Sequence, residues 1–96
     1  MNSFQGKVAF ITGGGTGIGA AVARQFVAAG GKVVLMGRRA PPLEAVAGPI
    51  GGLVVAGDAA DAGDVRKALI SARQAFGGVD VLVANAGGHG LGSAMD

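Results

Sequence analysis

The chain has 96 residues, which is enough for one small domain. Half of the residues are hydrophobic and only 15% are charged, so the composition excludes a disordered chain. The net charge of +2 is too weak to favour nucleic acid as a partner, and the absence of Cys excludes a disulfide framework or a thiolate metal site. Because no apolar run approaches the ~18–20 residues of a membrane span, and no signal-like segment is present, we expect a soluble, cytoplasmic protein that does not engage membranes.

Strands and helices are predicted to alternate along the chain. Short apolar runs that lead into glycine-containing turns or the Asn85 segment predict strands at Lys7–Ile11, Lys32–Met36, Leu53–Ala56 and Val79–Ala84. Helical spacing predicts one helix from Gly17 to Ala29, a short one that starts at Pro41 and is broken by Gly48-Pro49, and a third that is N-capped by Asp61 and ended by Gly77-Gly78. The predicted buried faces of the first and third helices are formed by Ile18, Val22, Phe26 and Ala29, and by Val65, Leu69, Ala72 and Phe76.

This alternation predicts an α/β fold. Continuous apolar strands joined by helices favour a parallel sheet covered on both faces, with right-handed crossovers. We expect a partial Rossmann-type doubly wound sheet with strand order 3-2-1-4, in which residues 1–88 form one βαβαβαβ unit and residues 89–96 form a Gly-rich tail. The fourth strand is expected to have a bare edge, so the isolated chain is expected to be marginally stable or self-associating.

The strongest functional signal is the Gly-rich segment at residues 12–19, between a predicted strand and a predicted helix. A pyrophosphate at a helix N-terminus meets unpaired backbone N–H groups and a positive dipole end, and glycines let the backbone approach it closely. A Walker-type loop is excluded because Ala20, and not Lys followed by Ser or Thr, comes after Gly19. The alternative is a Gly-rich turn without a ligand. The candidate cofactor-binding residues of this segment are Thr12, Gly13, Gly15, Thr16, Gly17, Ile18 and Gly19.

The pattern Thr12-Gly-x-x-x-Gly17-x-Gly19 resembles the cofactor turn of the short-chain dehydrogenase/reductase family. The lead-in Gly6-Lys7-Val8, the Asn85-Ala86-Gly87 segment and the run that precedes it are similar to that family as well, so the resemblance covers residues 4 to about 89. It implies a hydride-transferring oxidoreductase with a nicotinamide cofactor. It also implies that Asp58 and Ala59 lie near the adenine and that Asn85, Ala86 and Gly87 lie close to the cofactor.

The residues after the second strand favour NADP(H) over NAD(H). NAD-binding turns usually place Asp or Glu about 20 residues on, to hold the ribose 2′-hydroxyl. Here Gly37 stands at that place and Arg38-Arg39 follow, so a 2′-phosphate would meet guanidinium groups and no repelling anion. The alternative is a solvated pair of loop arginines.

Other polar residues have structural alternatives. Asp58 is either an acceptor for the adenine amino group or a turn-forming residue after a strand, and Asn85 is a turn former, a structural hydrogen bonder or a wall of the nicotinamide pocket. His89 is expected to be a surface loop residue, and Asp61 and Asp64 to be helix N-terminal charges.

No catalytic residue is predicted in these 96 residues. The resemblance implies a Ser and a Tyr-x-x-x-Lys motif after the Asn-Ala-Gly segment, and the chain contains no Tyr. We therefore expect the N-terminal cofactor-binding portion of a longer, homo-oligomeric oxidoreductase, inactive by itself. Two alternatives stay open: a stand-alone dinucleotide-binding module or remnant without chemistry, and half of an S-adenosylmethionine-dependent methyltransferase, which Gly37 disfavours because that class normally has an acidic residue there.

Overall fold

The computed structural model describes residues 3–15 and 17–85. In these residues, strands and helices alternate as the sequence predicts, and no helix is both long and apolar enough to cross a membrane. The elements are β1 (Val8–Thr12), α1 (Gly17–Ala28), β2 (Lys32–Gly37), α2 (Ala40–Ile50), β3 (Leu53–Ala56), α3 (Ala62–Phe76) and β4 (Val81–Ala84).

The described strands form one parallel sheet in the order β3-β2-β1-β4. This confirms the predicted 3-2-1-4 order and the Rossmann-type fold class. The register sets Val8 beside Lys32 at the start of β1 and Thr12 beside Met36 at its end. On its other side, Thr12 lies beside Ala84 of β4. The carboxyl ends of all four strands therefore meet at one edge of the sheet.

Helices cover both faces of the sheet, because residues 8–11 of β1 and the interior of β2 are apolar and are buried on both sides. Side chains at alternate positions of each strand point to opposite faces. Ala9, Ile11, Val33 and Leu35 pack with α1 and α2, whereas Val8, Phe10, Val34 and Met36 pack with Ala68 and Ala72 of α3.

The predicted end of α2 at Gly48-Pro49 is wrong, because the helix continues through Pro49 to Ile50. A proline in the last turn removes only one donor, and the carbonyls of that turn find other partners. The amide of Gly52 donates to the Ala47 carbonyl at 2.9 Å, and that of Gly51 donates to the Gly48 carbonyl at 3.3 Å. Gly51 has a left-handed φ of 71°, so the helix ends in a glycine cap after the proline.

The predicted buried faces of α1 and α3 are shifted. Ile18 is 62% exposed and Leu69 is 42% exposed, whereas Ala20, Ala23, Ala68 and Ala72 are buried. Small side chains let a helix lie close to the sheet, and the longer neighbours then project to its flanks. The predicted burial of Phe26 and Ala72 is confirmed, but apolar spacing alone missed Ala20, Ala23 and Ala68, on which the helices pack.

The bounds of three strands also differ from the prediction, and β2 ends at Gly37 rather than Met36. β1 runs one residue later than expected, and β4 begins at Val81 rather than Val79. Asp80 accounts for the late start of β4. Its carboxylate Oδ2 accepts a hydrogen bond from the Val8 amide at 2.8 Å, and its own amide donates to the Val8 carbonyl at 2.8 Å. Asp80 therefore fixes the start of β1 against the segment that enters β4, a role that sequence reasoning missed.

The predicted N-cap at Asp61 is confirmed. Its Oδ1 accepts hydrogen bonds from the amides of Gly63 at 2.7 Å and Asp64 at 3.2 Å. Two of the unpaired donors in the first turn of α3 are thereby satisfied.

We expect Gly31→Ala to destabilise the fold by about 1–3 kcal/mol, the usual cost of overpacking. A Cβ at Gly31 would collide with the ring of Phe26, and this ring is held by stacking on Phe4, with ring centroids 4.5 Å apart. Urea unfolding followed by circular dichroism measures the change.

The matched control is Gly48→Ala, which makes the same substitution where a Cβ would meet nothing within 4 Å. We expect no destabilisation there, and a gain of up to about 1 kcal/mol, because Gly48 is exposed within α2 and Ala is favoured over Gly in a helix. Equal changes in stability at the two positions would show that a collision with Phe26 is not what restricts residue 31 to glycine.

Candidate functional site

The carboxyl ends of β1 and β4 border the crevice that parallel α/β sheets use for ligands. The chain passes from β1 outward to β2 and β3, and then returns to place β4 on the other side of β1. Ligands of open α/β sheets bind where the strand order reverses in this way. The Gly-rich turn follows β1 directly and therefore begins at this crevice.

The backbone of the turn needs residues without side chains. Gly13 has a φ of 69° and donates from its amide to the Met36 carbonyl at 2.9 Å. A Cβ at Gly19 would lie 2.5 Å from the Gly13 carbonyl oxygen and 2.9 Å from Nδ2 of Asn85. The start of α1 can thus lie directly against the end of β1 only because residue 19 is glycine.

The N-terminus of α1 provides an electrostatic setting for an anion. The helix begins at Gly17, and its first turn contains no acidic residue. The first amides of a helix have no intrahelical partner and carry the positive end of its dipole. Ile18, on the same turn, is 62% exposed. Among the described residues of the turn, backbone amides and a positive dipole end are therefore available without a competing carboxylate.

A hydrogen-bond network joins the end of β4 to the turn. The buried Thr12 side chain uses its Oγ1 to accept from the Asn85 amide at 3.0 Å and to donate to the Val83 carbonyl at 3.5 Å. Asn85 in turn donates from Nδ2 to the Gly13 carbonyl at 3.5 Å. The structure thus brings Asn85 to Thr12 and Gly13, which lie 73 and 72 positions earlier in the chain, and to Gly19. These are structural hydrogen bonds, one of the three roles that the sequence left open for Asn85.

The start of α2 lies against the same turn. A Cβ at Gly15 would lie 3.0 Å from the Cβ of Pro42 and 3.3 Å from the amide nitrogen of Leu43. Arg39 occupies the N-cap position of α2, and its exposed side chain makes no capping hydrogen bond. The predicted arginine pair therefore enters α2 beside the Gly-rich turn. Sequence reasoning missed the packing role of Pro42 and Leu43, because a helix-starting proline does not show what it contacts.

Arg38 and Asp58 meet across the ends of β2 and β3. The Gly57 amide donates to the Gly37 carbonyl at 2.7 Å, which aligns the residues that follow the two strands. Nη2 of Arg38 lies 3.6 Å from Oδ1 of Asp58, with the two side chains 78% and 43% exposed. The two residues were predicted to contact different parts of a cofactor, and their ion pair was not foreseen.

The loop after β3 is held by its own acidic residues. Oδ1 of Asp58 also accepts from the Ala60 amide at 2.9 Å, and the Asp58 amide donates to Oδ2 of Asp64 at 2.9 Å. Ala59 is half-buried and packs against the apolar cluster on the α3 side. Asp58 thus makes the hydrogen bond expected of a turn-forming residue. Asp64 not only places a negative charge at the start of α3 but also accepts a hydrogen bond that holds the loop.

Four residues singled out in the sequence lie outside the described residues: Thr16, Ala86, Gly87 and His89. The predicted tail at residues 89–96 lies outside them as well. Within residues 3–15 and 17–85, no group of three His, Cys, Asp or Glu side chains is arranged to hold a metal ion.

Comparison with known proteins identifies relatives of one kind, dehydrogenases and reductases. The model of the family described as short chain dehydrogenase matches residues 7–96. The chain is similar to the NADP-dependent (R)-specific alcohol dehydrogenase of Lentilactobacillus kefiri, with 45% identity over 86% of this chain and 34% of the relative. It is also similar to the cis-1,2-dihydrobenzene-1,2-diol dehydrogenase of Pseudomonas putida, with 39% identity over 86% of this chain and 31% of the relative.

A solved structure extends the similarity to three dimensions. The 3-ketoacyl-(acyl-carrier-protein) reductase from Brucella melitensis, complexed with NADH, superposes with a TM-score of 0.80 and 44% identity. The match covers 83% of this chain and 34% of that structure. The chain therefore spans about a third of the length of the relatives it matches.

We expect Thr12→Val to loosen the junction between β1 and β4, because it leaves the Asn85 amide without the Oγ1 acceptor. Loss of a buried hydrogen-bond partner costs about 1–3 kcal/mol. Hydrogen exchange of the Asn85 amide, followed by NMR, is expected to accelerate in this variant.

The control is Thr12→Ser, which keeps the accepting oxygen and removes only a methyl group. Slow exchange at Asn85 is expected to persist in the serine variant. Equally fast exchange in both variants would show that the hydroxyl does not hold the end of β4.

Proposed function

Because the chain belongs to the short-chain dehydrogenase family, we propose that it forms the N-terminal, NADP(H)-binding portion of an oxidoreductase. The relatives with named activities include an alcohol dehydrogenase and a dihydrodiol dehydrogenase. The proposed reaction is hydride transfer between the nicotinamide and a carbonyl or alcohol carbon. When bound, the cofactor supplies or accepts the hydride, and the protein holds and orients it.

The observation that carries the proposal is the position of the Gly-rich turn at the reversal of strand order. The close approach of α1 to β1 at Gly19 leaves no room for a Cβ, and the first turn of α1 carries no acidic residue. These features suit a pyrophosphate at the helix N-terminus. In this proposal Thr12, Gly13, Gly15, Gly17, Ile18 and Gly19 surround the pyrophosphate, together with Thr16 from outside the described residues.

The remaining candidate residues are assigned along the crevice. Asp58 and Ala59 border the adenine at the end of β3. Asn85 borders the nicotinamide half from the end of β4, together with Ala86 and Gly87 from outside the described residues. The hydrogen bonds of Asn85 support this assignment because its backbone amide is held by Thr12 and its side-chain Nδ2 by the Gly13 carbonyl, beside the turn.

The preference for NADP(H) rests on the residues that follow β2. No carboxylate stands at Gly37, and the exposed Arg38 and Arg39 side chains follow it. Guanidinium groups bind phosphate with charge-assisted, bidentate hydrogen bonds. The relatives include both an NADP-dependent enzyme and a structure with NADH, so the family alone does not decide between the cofactors.

We propose that the 96-residue chain binds the dinucleotide without catalysing the reaction. The chain has no Tyr to serve as the proton donor of the family's mechanism. Substrate choice and proton transfer then belong to residues that correspond to the other two thirds of the relatives. The cytoplasmic location stays a prediction of the sequence.

NADPH is expected to bind more tightly than NADH, and Arg38→Ala is expected to weaken NADPH binding about tenfold. This factor corresponds to the loss of one charge-assisted hydrogen bond. NADH affinity is expected to be nearly unchanged, since it has no 2′-phosphate. Isothermal titration calorimetry with both dinucleotides measures the two affinities.

The control is Arg73→Ala, which removes the same charge from the last turn of α3. That end of α3 lies away from the crevice, because Nζ of Lys32, at the start of β2, lies 5.7 Å from the Phe76 ring centroid. Tighter NADH binding by the unaltered chain, or equal effects of the two alanine variants, would contradict the proposed preference.

We also propose that the isolated chain self-associates through β4. In the described residues β4 pairs only with β1, and its Leu82 side chain is 67% exposed. Leu69 and Ile70 add exposed apolar surface on α3. Exposed apolar edge strands are ready to pair with another chain.

Sedimentation velocity is expected to show species heavier than a monomer that increase with concentration. Leu82→Glu is expected to reduce them, because a charge at the edge opposes pairing. Ile18→Glu, at a similarly exposed position on α1, is expected to leave association unchanged. A monomer at all concentrations, or equal effects of the two variants, would contradict an interface at β4.

A further inference from the structure

Asp58 has a contact that the proposed binding of an adenine does not explain. Its Oδ1 lies 3.6 Å from Nη2 of Arg38, the arginine proposed to bind a 2′-phosphate. The sheet enforces this proximity, because β2 and β3 pair in parallel with Gly37 beside Ala56. A further backbone hydrogen bond links Gly57 to Gly37 at 2.7 Å. Residues 38 and 58 therefore leave the sheet side by side.

We propose that Asp58 is a specificity-determining residue that competes with the 2′-phosphate of the dinucleotide for Arg38, and so limits the preference for NADP(H). This inference rests on the proposed function. It assigns to Asp58 an effect on cofactor choice that is separate from any contact with the adenine.

The Asp58 carboxylate is fixed, whereas the guanidinium is free to move. Oδ1 of Asp58 is held by the Ala60 amide, and its backbone amide is held by Oδ2 of Asp64. The Arg38 side chain is 78% exposed, and the only ion pair found among the described residues is the one with Asp58. A ligand that takes over Arg38 therefore moves the arginine and leaves the carboxylate in place.

Competition follows from the relative strength of the two contacts. An ion pair this exposed is screened by water and contributes little. A phosphate offers bidentate, charge-assisted hydrogen bonds and displaces a single carboxylate contact at 3.6 Å. Once displaced, the carboxylate remains a negative charge near the phosphate and repels it. Both effects weaken binding of a 2′-phosphate, and neither acts on a ribose with a free 2′-hydroxyl.

Asp58→Asn separates charge from hydrogen bonding. Asn keeps a side-chain oxygen that can accept from the Ala60 amide, so the turn after β3 is expected to persist. It removes the negative charge that faces Arg38. The second variant, Asp58→Ser, also offers an acceptor for that turn and serves if Asn perturbs the loop.

The test uses two small probes that differ only in the 2′-phosphate: adenosine 2′,5′-bisphosphate and adenosine 5′-monophosphate. Calorimetric titration of the 96-residue chain at low salt gives both affinities. We expect Asp58→Asn to strengthen binding of the bisphosphate about two- to fivefold, a factor that corresponds to the free energy of an exposed ion pair. The monophosphate is expected to bind no more tightly, and at most slightly more weakly, since Asn can accept from an adenine amino group but less strongly than a carboxylate.

Two controls identify the contact. Glu44→Gln removes one negative charge from an exposed position on α2, and it is expected to change the ratio of the two affinities less than Asp58→Asn does. In an Arg38→Ala background, the effect of Asp58→Asn on the bisphosphate is expected to shrink, because the group for which Asp58 competes is absent.

The outcomes distinguish the inference from the proposed function. If the unaltered chain binds neither probe nor NADPH while circular dichroism shows that it is folded, the proposed function is overturned and the inference with it. If the chain binds the bisphosphate but the Asn and Ser variants bind it equally or more weakly, only the inference is overturned. The inference alone is also overturned if Asp58→Asn strengthens binding of both probes equally, or if it strengthens binding of the bisphosphate as much in the Arg38→Ala background.

Discussion

Burial of β1 and β2 on both faces is the constraint on which the rest of the molecule depends. Every residue of β1 is buried, and so are the four central residues of β2. Two strands that are apolar on both faces need helices on both faces, and parallel strands need crossover connections to supply them. After β3 the chain returns past β1 and places β4 on its other side, and ligands of open α/β sheets bind at the carboxyl ends of the strands where the strand order reverses in this way.

The two parts of the candidate site offer a ligand different chemical groups, backbone amides in one and charged side chains in the other. At the Gly-rich turn the contacts available to a ligand come from backbone amides, and they depend on residues that lack a side chain. After β2 and β3 they come from exposed charged side chains that the sheet register merely places together. Changes at Gly19 therefore disturb the fold itself, whereas changes at Arg38 or Asp58 alter charge and leave the core intact.

The sheet order and the Asp61 cap could be predicted because each depends on local pattern and on general rules of connection. The shifted faces of α1 and α3 could not, because alanines such as Ala23 and Ala68 look neutral in a periodic pattern although they determine how close a helix lies to the sheet. Asp80 and the Arg38–Asp58 pair were missed for another reason. Each depends on which residues the sheet places side by side, and no local pattern records a partner 20 or more residues away.

The hydrogen bonds that hold β4 join residues far apart in the chain: 72 positions separate Val8 from Asp80, and 73 separate Thr12 from Asn85. The β1–β2 pair closes a loop of only about 24 residues. Closing the longer loop costs more chain entropy and gains fewer buried contacts, so we infer that β1, α1 and β2 assemble first and β4 docks last. The Gly-rich turn then forms with the early unit, and the crevice becomes complete only when the final strand arrives.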